Sequence, residues 1–163
     1  MKKLCSILLS AIILSLALLC TGCGANPDEA KTTLENYLAY IRNGEYESAY
    51  SLLSDFDKGN ISKELFTEWR TAVTKLADIG KSSISPKIDR FKNFEYLGTT
   101  YQKAFGFEVT CSLKKKNENI KLENYDQETY KIMVVQEKGG YRVALLVTNL
   151  ADVVSQYKDQ IGR

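Results

Sequence analysis

The feature that most constrains the fold is a change in the spacing of apolar residues along the chain. Between Ala30 and Leu76 they recur at the spacing that places side chains on one face of an α-helix. From Phe91 to Val147 they alternate with polar residues instead, as in strands that bury one face. Helices that precede antiparallel strands predict an α+β fold, in which a curved sheet packs on the helices.

Three N-terminal helices are predicted before the strands, and one further helix is predicted at the C-terminal end. Asn26 is suited to cap the first helix and Gly44 to end it, while Gly80 is predicted to end the third. Polar residues at 54–60 predict a turn between helices, and 81–86 a linker. The predicted apolar faces are Ala30, Leu34, Tyr37, Leu38 and Ile41; Tyr46, Ala49, Tyr50 and Leu53; Leu65, Trp69, Ala72, Val73 and Leu76; and Leu150, Val153, Val154, Tyr157 and Ile161.

Four strands are predicted after residue 90, in the regions 91–99, 105–113, 130–137 and 141–147. Gly139-Gly140 separates the last two alternating runs and predicts a β-hairpin. Cys111 lies in the second strand, on the face of its apolar residues. A small core residue is the favoured interpretation of Cys111, with a reactive thiol as the alternative.

The first 22 residues differ from the rest and have the pattern of a secretory signal. Lys2 and Lys3 are followed by an uncharged apolar run from Leu4 to Leu19. The run is shorter than the roughly 20 residues that a membrane-spanning helix needs, although an uncleaved spanning helix is the alternative. We therefore expect a signal peptide at 1–22, a tether at 23–26 and one domain at 27–163.

The end of this run resembles the lipobox of bacterial lipoproteins, which the lipoprotein signal peptidase recognises. Cys20, Thr21 and Gly22 precede Cys23, with a small residue directly before the cysteine. Cys20 departs from the leucine that is usual at its position. The resemblance implies cleavage before Cys23, lipid on its thiol, and a domain anchored to the outer, extracytoplasmic face of a cell membrane.

The amino-acid composition limits the classes of partner that the exported part of the chain can bind. Without Lys2 and Lys3 the basic and acidic residues balance at 20 each, so the basic excess that nucleic-acid binding requires is missing. Of the four cysteines, Cys5 and Cys20 would leave with the signal peptide and Cys23 would carry lipid. Only Cys111 would remain free, so the core must stabilise the domain without a disulfide.

Two stretches of sequence resemble small exported lipoproteins of the nuclear transport factor 2-like class. One is the helix, short turn and second helix of 38–53, which contains Gly44-Glu45-Tyr46 and Ala49-Tyr50. The other is the hairpin of 134–143, in which Tyr141 follows the glycines. The resemblance covers about residues 27–147 and implies a cone in which a bent sheet wraps helices. Cones of this class serve as enzymes, binding pockets, dimer modules and accessory domains of penicillin-binding proteins.

The chain contains no histidine, which excludes Ser-His-Asp and Cys-His nucleophile systems and the His-Asp dyad of dehydratases with the resembled fold. The remaining route is an Asp base with Tyr donors in an apolar cone, as in isomerases. Asp89 and Asp126 are the Asp residues nearest the predicted strands, but their polar flanks predict that both are solvated. Segment 55–60 lacks the ligand pattern of a calcium loop.

We therefore expect a membrane-anchored extracytoplasmic binding or interaction module without catalytic residues, cofactor or metal. One alternative is a small-molecule isomerase- or dehydratase-like enzyme with a pocket in the cone. A second alternative is an accessory subunit of cell-wall or transfer machinery. The expected partners are the membrane, through the lipid anchor, and an unknown protein or a small hydrophobic ligand; a homodimer is a further option.

Overall fold

The computed structural model describes residues 26–123 and 126–162. Cys20, Thr21, Gly22 and Cys23, the predicted signal-peptidase and lipidation residues, lie outside them. Within the described ranges, no helix combines the length and the apolar character needed to cross a membrane. The elements in chain order are α1 (Pro27–Asn43), α2 (Tyr46–Ser51), α3 (Asp55–Asn60), α4 (Lys63–Leu76), β1 (Ala77–Tyr96), β2 (Thr99–Lys115), β3 (Thr129–Glu137), β4 (Gly140–Ala144) and α5 (Leu150–Ile161). The prediction of a mixed α+β fold is confirmed.

The ends of α1 form where the sequence predicts them. The Asn26 side chain accepts hydrogen bonds from the backbone N–H groups of Asp28 and Glu29, at 3.1 and 3.4 Å. Gly44 takes a left-handed conformation with φ 76°, which glycine adopts without steric cost. The Asn26 N–H also donates to the Tyr141 hydroxyl at 2.8 Å, so the start of α1 is attached to β4.

The predicted turn at 54–60 is wrong, because residues 55–60 form the short helix α3. Ser54 caps this helix: its Oγ accepts from the Asp57 N–H at 3.1 Å and donates to Asp57 Oδ2 at 2.7 Å. Both side chains are fully buried. Polar residues thus interrupt the apolar pattern without interrupting helical structure, and four helices precede the sheet instead of three.

The predicted linker at 81–86 is also wrong, because it is part of the 20-residue strand β1. Gly80, predicted to end a helix, lies inside β1, where a Cβ atom would overlap the Ser112 hydroxyl. The pairing with β2 is irregular between Ile79 and Ser82 and between Ile84 and Ile88. These irregularities, and the burial of only one β1 residue, Ala77, remove the strict alternation that identifies strands in a sequence.

The four strands form an antiparallel meander in the order β1-β2-β3-β4. Gly139 and Gly140, with φ of 102° and 129°, form the predicted hairpin turn between β3 and β4. The outer edge of β4 is covered, since Ser54 N donates to Val143 O at 2.8 Å and Val143 N donates to Leu52 O at 2.9 Å. The outer edge of β1 pairs with no strand of the described residues.

The main core lies between the helices and one face of the sheet. Phe105, Phe107 and Val109 of β2 point into it and are at most 1% exposed, in agreement with the predicted alternation. Residues of opposite parity form a smaller cluster on the other face of the sheet, which includes Ala104 and Met133. The fold is therefore a four-stranded antiparallel sheet with the helices packed on one of its faces.

Candidate functional site

Asp126, which the sequence predicts to be solvated, is buried and only 3% exposed. Its Oδ1 accepts from Arg70 Nη1 at 2.9 Å. Its Oδ2 accepts from Trp69 Nε1 at 2.8 Å and from the Tyr157 hydroxyl at 2.9 Å. The prediction of a solvated acid is wrong because three donors, one of them charged, replace water around the carboxylate.

Two adjacent helices supply these donors. Trp69 and Arg70 are consecutive residues of α4, and Tyr157 lies in α5, which packs against α4. The Tyr157 hydroxyl also accepts from the Glu123 N–H at 2.8 Å, which fixes its donation toward Asp126. The Arg70 guanidinium lies over the Trp69 ring, 4.6 Å from its centroid.

Reasoning from the sequence missed Arg70, although a signal was present. Arg70 lies between Phe66 and Val73 at helical spacing, so it occupies an apolar face where a cation requires a partner. Phe66 was missed as well: it is fully buried, whereas the predicted Leu65 is only partly buried. The predicted burial of Trp69 is confirmed at 1% exposure.

Burial dominates the electrostatics of this site. It raises the pKa of the Asp126 carboxyl above its usual range, while the Arg70 guanidinium and the hydrogen bonds from Trp69 and Tyr157 oppose the rise. Burial also raises the pKa of Tyr37, and it raises the pKa of Tyr130 to about 12. The two phenols therefore remain protonated at neutral pH and can act only as neutral hydrogen-bonding groups.

Little free volume surrounds the ion pair. Arg70 borders two cavities of about 20 and 30 Å³, and Tyr130 borders both as well. Each volume is enough for about one or two water molecules. The Arg70 Nε, although buried, has no hydrogen-bond partner among the described residues. The interior is thus filled by side chains near Asp126, and within the described residues one donor of the Arg70 guanidinium is unused.

Asp89, the other predicted acid, does not join this site. It pairs with Gly106 across the strands, on the face of the sheet opposite the main core, and its carboxylate forms an exposed ion pair with Lys131. Cys111 lies on the core face, where burial raises the pKa of its thiol. This supports the interpretation of Cys111 as a core residue.

A second buried acid, Asp57, was not predicted. Its Oδ2 accepts from Ser54 Oγ and from the Leu145 N–H, at 2.7 and 2.9 Å, while its Oδ1 has no partner among the described residues. No described cation forms an ion pair with it, and burial raises its pKa. No group of three or more His, Cys, Asp or Glu in the described ranges is close enough to hold a metal ion.

Comparison with known proteins agrees with this architecture. Residues 29–146 match the family model described as "NTF2-like N-terminal transpeptidase domain". This range begins in the first turn of α1 and ends just after β4. No curated protein matches the chain. The matched range covers most of the sequence, and it includes the four helices and the four-stranded sheet. The chain therefore belongs to the family of NTF2-like N-terminal transpeptidase domains.

Proposed function

We propose that this protein is a non-catalytic interaction module, anchored by lipid on Cys23 at the outer face of a cell membrane, and that it works with a cell-wall transpeptidase. The burial of Asp126 and the hydrogen bonds to both of its carboxylate oxygens support the non-catalytic part of this proposal. The family description carries the transpeptidase part, because it refers to a domain of such enzymes. The proposal thus combines two interpretations of the sequence: the binding or interaction module, which was favoured, and the accessory subunit of cell-wall machinery, which was an alternative.

Asp126 is poorly suited to be a general base. A base must reach a substrate proton within hydrogen-bonding distance, yet both Asp126 oxygens already accept bonds from Arg70, Trp69 and Tyr157. The closeness of Asp126 and Tyr157 resembles an isomerase pair. The adjacent cavities of about 20 and 30 Å³ nevertheless leave no space for a substrate.

The anchoring part rests on the N-terminal sequence and on the place where the described domain begins. Two residues, Gly24 and Ala25, lie between Cys23 and Asn26, so the Cα atoms of Cys23 and Asn26 are at most about 11 Å apart. Asn26 is fixed at the start of α1 by its bond to Tyr141. A lipid on Cys23 would therefore hold the domain close to the membrane surface, within reach of membrane-bound enzymes.

A protein partner is favoured by an exposed apolar feature at the β1–β2 hairpin. Leu97 is 63% exposed and Phe91 is 38% exposed. Leu97 also has a φ of 44°, a left-handed conformation that is unfavourable for leucine. An exposed leucine in a strained turn contributes little to stability, so a contact outside the domain is the better explanation for it.

The proposal is tested with a photo-crosslinking amino acid at Leu97 in the native host, followed by a fluorescent penicillin that labels transpeptidases. We expect a crosslinked product that carries the penicillin label. The matched control is the same amino acid at Asn119, which is exposed in the turn after β2. A labelled product from Asn119 alone, or only an unlabelled product of twice the protein's mass, would contradict a transpeptidase partner. The second outcome would indicate a homodimer.

A further inference from the structure

The surroundings of the buried Asp57 in α3 favour the neutral form of its carboxyl group. No cation of the described residues forms an ion pair with it, and Lys58, the next residue, pairs with the exposed Asp55 at 3.6 Å instead. The Oδ1 atom of Asp57 is buried and has no hydrogen-bond partner among the described residues. A negative charge on this carboxylate would therefore be only partly stabilised for as long as the site stays closed.

The titratable groups that face Asp57 supply no compensating positive charge. Three of them are phenols, one from each of α1, β1 and β2: Tyr37, Tyr96 and Tyr101. Burial raises the pKa of all three, so they are neutral at neutral pH. Burial also raises the pKa of Glu137 in β3, and the cations Lys58 and Arg142 oppose that rise, but neither cation acts on Asp57.

The other oxygen of Asp57 fixes the segment that follows β4. Oδ2 accepts from the Ser54 hydroxyl at 2.7 Å and from the Leu145 N–H at 2.9 Å. Leu146, the next residue, has a φ of 57°, a left-handed conformation that is unfavourable for leucine. A residue keeps such a conformation only where the surrounding contacts enforce it. The bond between Leu145 and Asp57 is one of these contacts, and it lies directly before the strained residue.

The same segment is bonded to the β1–β2 hairpin. The Tyr96 hydroxyl donates to the Leu146 carbonyl at 2.6 Å. The Tyr96 ring also packs edge to face on Phe56, with 5.4 Å between the ring centroids. Phe56 directly precedes Asp57 in α3, and Tyr96 directly precedes the exposed Leu97. Tyr96 thus connects the hairpin tip to Asp57 in two ways, through the segment after β4 and through α3.

We propose that Asp57 is a proton-controlled switch that fixes or releases the tip of the β1–β2 hairpin. While Asp57 is neutral, Leu146 keeps its strained conformation and Tyr96 holds the hairpin tip in place. When the proton passes to solvent, the charge that remains draws water into the site, the bond to Leu145 is lost, Leu146 relaxes and the hairpin tip is released. Because burial raises the pKa of Asp57, the tip is fixed in acid and is released as the pH rises through that raised value.

The switch itself depends neither on lipidation nor on a partner. Its consequence for binding rests on the proposed function, in which Leu97 contacts a transpeptidase. A fixed hairpin presents Leu97 in one position and has less conformational entropy to lose on binding. The complex should therefore form more readily at acidic pH than at neutral pH.

Hydrogen exchange of the full chain in lipid nanodiscs, measured by mass spectrometry, tests the switch. Rates are recorded from about pH 5 to about pH 8 and divided by the intrinsic rate of an unstructured amide at each pH. We expect the amides of Leu145 and of residues 96–100 to lose protection as the pH rises, by at most about tenfold per pH unit, the limit for release of one proton. Low concentrations of urea should not change these rates, because a local opening exposes little surface.

Variants identify the group that titrates. Asp57→Asn keeps an oxygen acceptor for Leu145 without a charge, so its protection should not depend on pH. Asp55→Asn, an exposed acid of the same helix, is the matched control and should respond as the wild type does. Glu137→Gln should also respond as the wild type does, although burial raises the pKa of Glu137 as well. Tyr96→Phe removes the bond to the segment after β4, so the response should persist at Leu145 and disappear at 96–100.

Protection of residues 96–100 that does not change with pH in the wild type would overturn the proposal. A pH response that persists in Asp57→Asn, or that disappears in Glu137→Gln, would overturn it as well. Rates that rise with low urea would mean that the whole domain unfolds, and they would contradict a local switch. These outcomes do not depend on Asp57→Asn alone, because the wild type and Tyr96→Phe are measured in the same way.

Crosslinking from position 97 in isolated membranes at the two ends of the pH range separates the switch from the proposed function. We expect a higher yield of the penicillin-labelled product in acid for the wild type and an equal yield at both ends for Asp57→Asn. Exchange that follows the prediction without a labelled product at either pH would support the switch and reject the transpeptidase partner. A labelled product together with exchange that is independent of pH would support the partner and reject the switch.

Discussion

At the scale of single residues, two Asp side chains show how differently the same group behaves in this fold. Asp126 is surrounded by three donors in the core, whereas Asp89 forms an ion pair with Lys131 at the surface. Exposed ion pairs contribute little to stability because water and salt screen them. Loss of one partner from a buried pair leaves the other charge without compensation.

We therefore expect Asp126→Asn to lower the free energy of unfolding by about 3–5 kcal/mol, because Arg70 would keep its buried charge. Asp89→Asn, the matched control, should change stability little. Urea denaturation followed by circular dichroism measures both. A similarly small decrease in the free energy of unfolding of both variants would mean that Asp126 is solvated, and it would contradict the ion pair in the core.

Asp57 predicts a pH dependence of stability. Burial raises its pKa in the folded protein, so the folded state binds this proton more tightly than the unfolded state. The protonated Asp57 carboxyl therefore favours the folded state at low pH. This contribution to the free energy of unfolding is lost as the pH rises from the pKa of an unfolded Asp, about 3.9, through the raised pKa of Asp57 in the folded protein. The advantage of the wild type over Asp57→Asn should thus shrink between acidic and neutral pH. Urea denaturation across this range checks the sign, and an advantage that grows with pH would refute it.

Cys23 remains the predicted lipidation site. Metabolic labelling with a fatty-acid probe should label the wild type and the Cys20→Ala variant, because Gly22 and Thr21 precede Cys23 and only its thiol is expected to receive lipid. The Cys23→Ala variant should carry no label. Label that persists in Cys23→Ala with Cys20 intact would rule out the site assignment.

At the scale of elements, α4 stabilises the core through its central aromatic residue. Trp69 is 1% exposed, contacts the Phe66 ring edge to face at 5.7 Å, and donates to Asp126. Trp69→Ala should cost about 3–5 kcal/mol, as large truncations in cores do. Leu65→Ala on the same helix should cost less, since Leu65 is only partly buried. Because Trp69 is the only tryptophan, its emission also reports burial; strongly red-shifted native emission would contradict the packing of α4.

The elements that the sequence predicts well are those with one clearly apolar face. The alternation around Phe107 and the caps of α1 depend on local patterns, and they were predicted correctly. The short helix α3 and the first half of β1 could not be found in this way. Ser54 and Asp57 hydrogen-bond to each other inside the core, and β1 is an irregular edge strand in which only one residue is buried.

The candidate site was predicted less well than the fold, for a physical reason. Asp126 lies 56 residues from Arg70 and 31 residues from Tyr157 along the chain. No local pattern encodes such a contact, because it depends on how α4 and α5 pack after the chain has passed through the sheet. Only Arg70, a cation on an otherwise apolar helical face, signalled in advance that a buried partner was required.

At the scale of the whole molecule, the interior and the surface have different roles. The interior is filled around an ion pair whose acceptor oxygens are occupied, so it contributes to stability. The open features are at the surface: the outer edge of β1, which pairs with no strand in the part of the chain that the structure describes, and the exposed Leu97 of the β1–β2 hairpin. This division supports a protein that acts by contact instead of by chemistry in its core.

The central claim is that Asp126 and Arg70 support the fold and take no part in a reaction. The most direct test is Arg70→Gln/Asp126→Asn, in which two neutral amides replace the ion pair and can still hydrogen-bond to each other. Circular dichroism measures how much of this variant is folded, and crosslinking from position 97 measures its complex with the penicillin-labelled partner. We predict that the yield per folded molecule equals that of the wild type. A folded double variant that forms no labelled complex would contradict the claim, because the buried pair would then be needed for function itself.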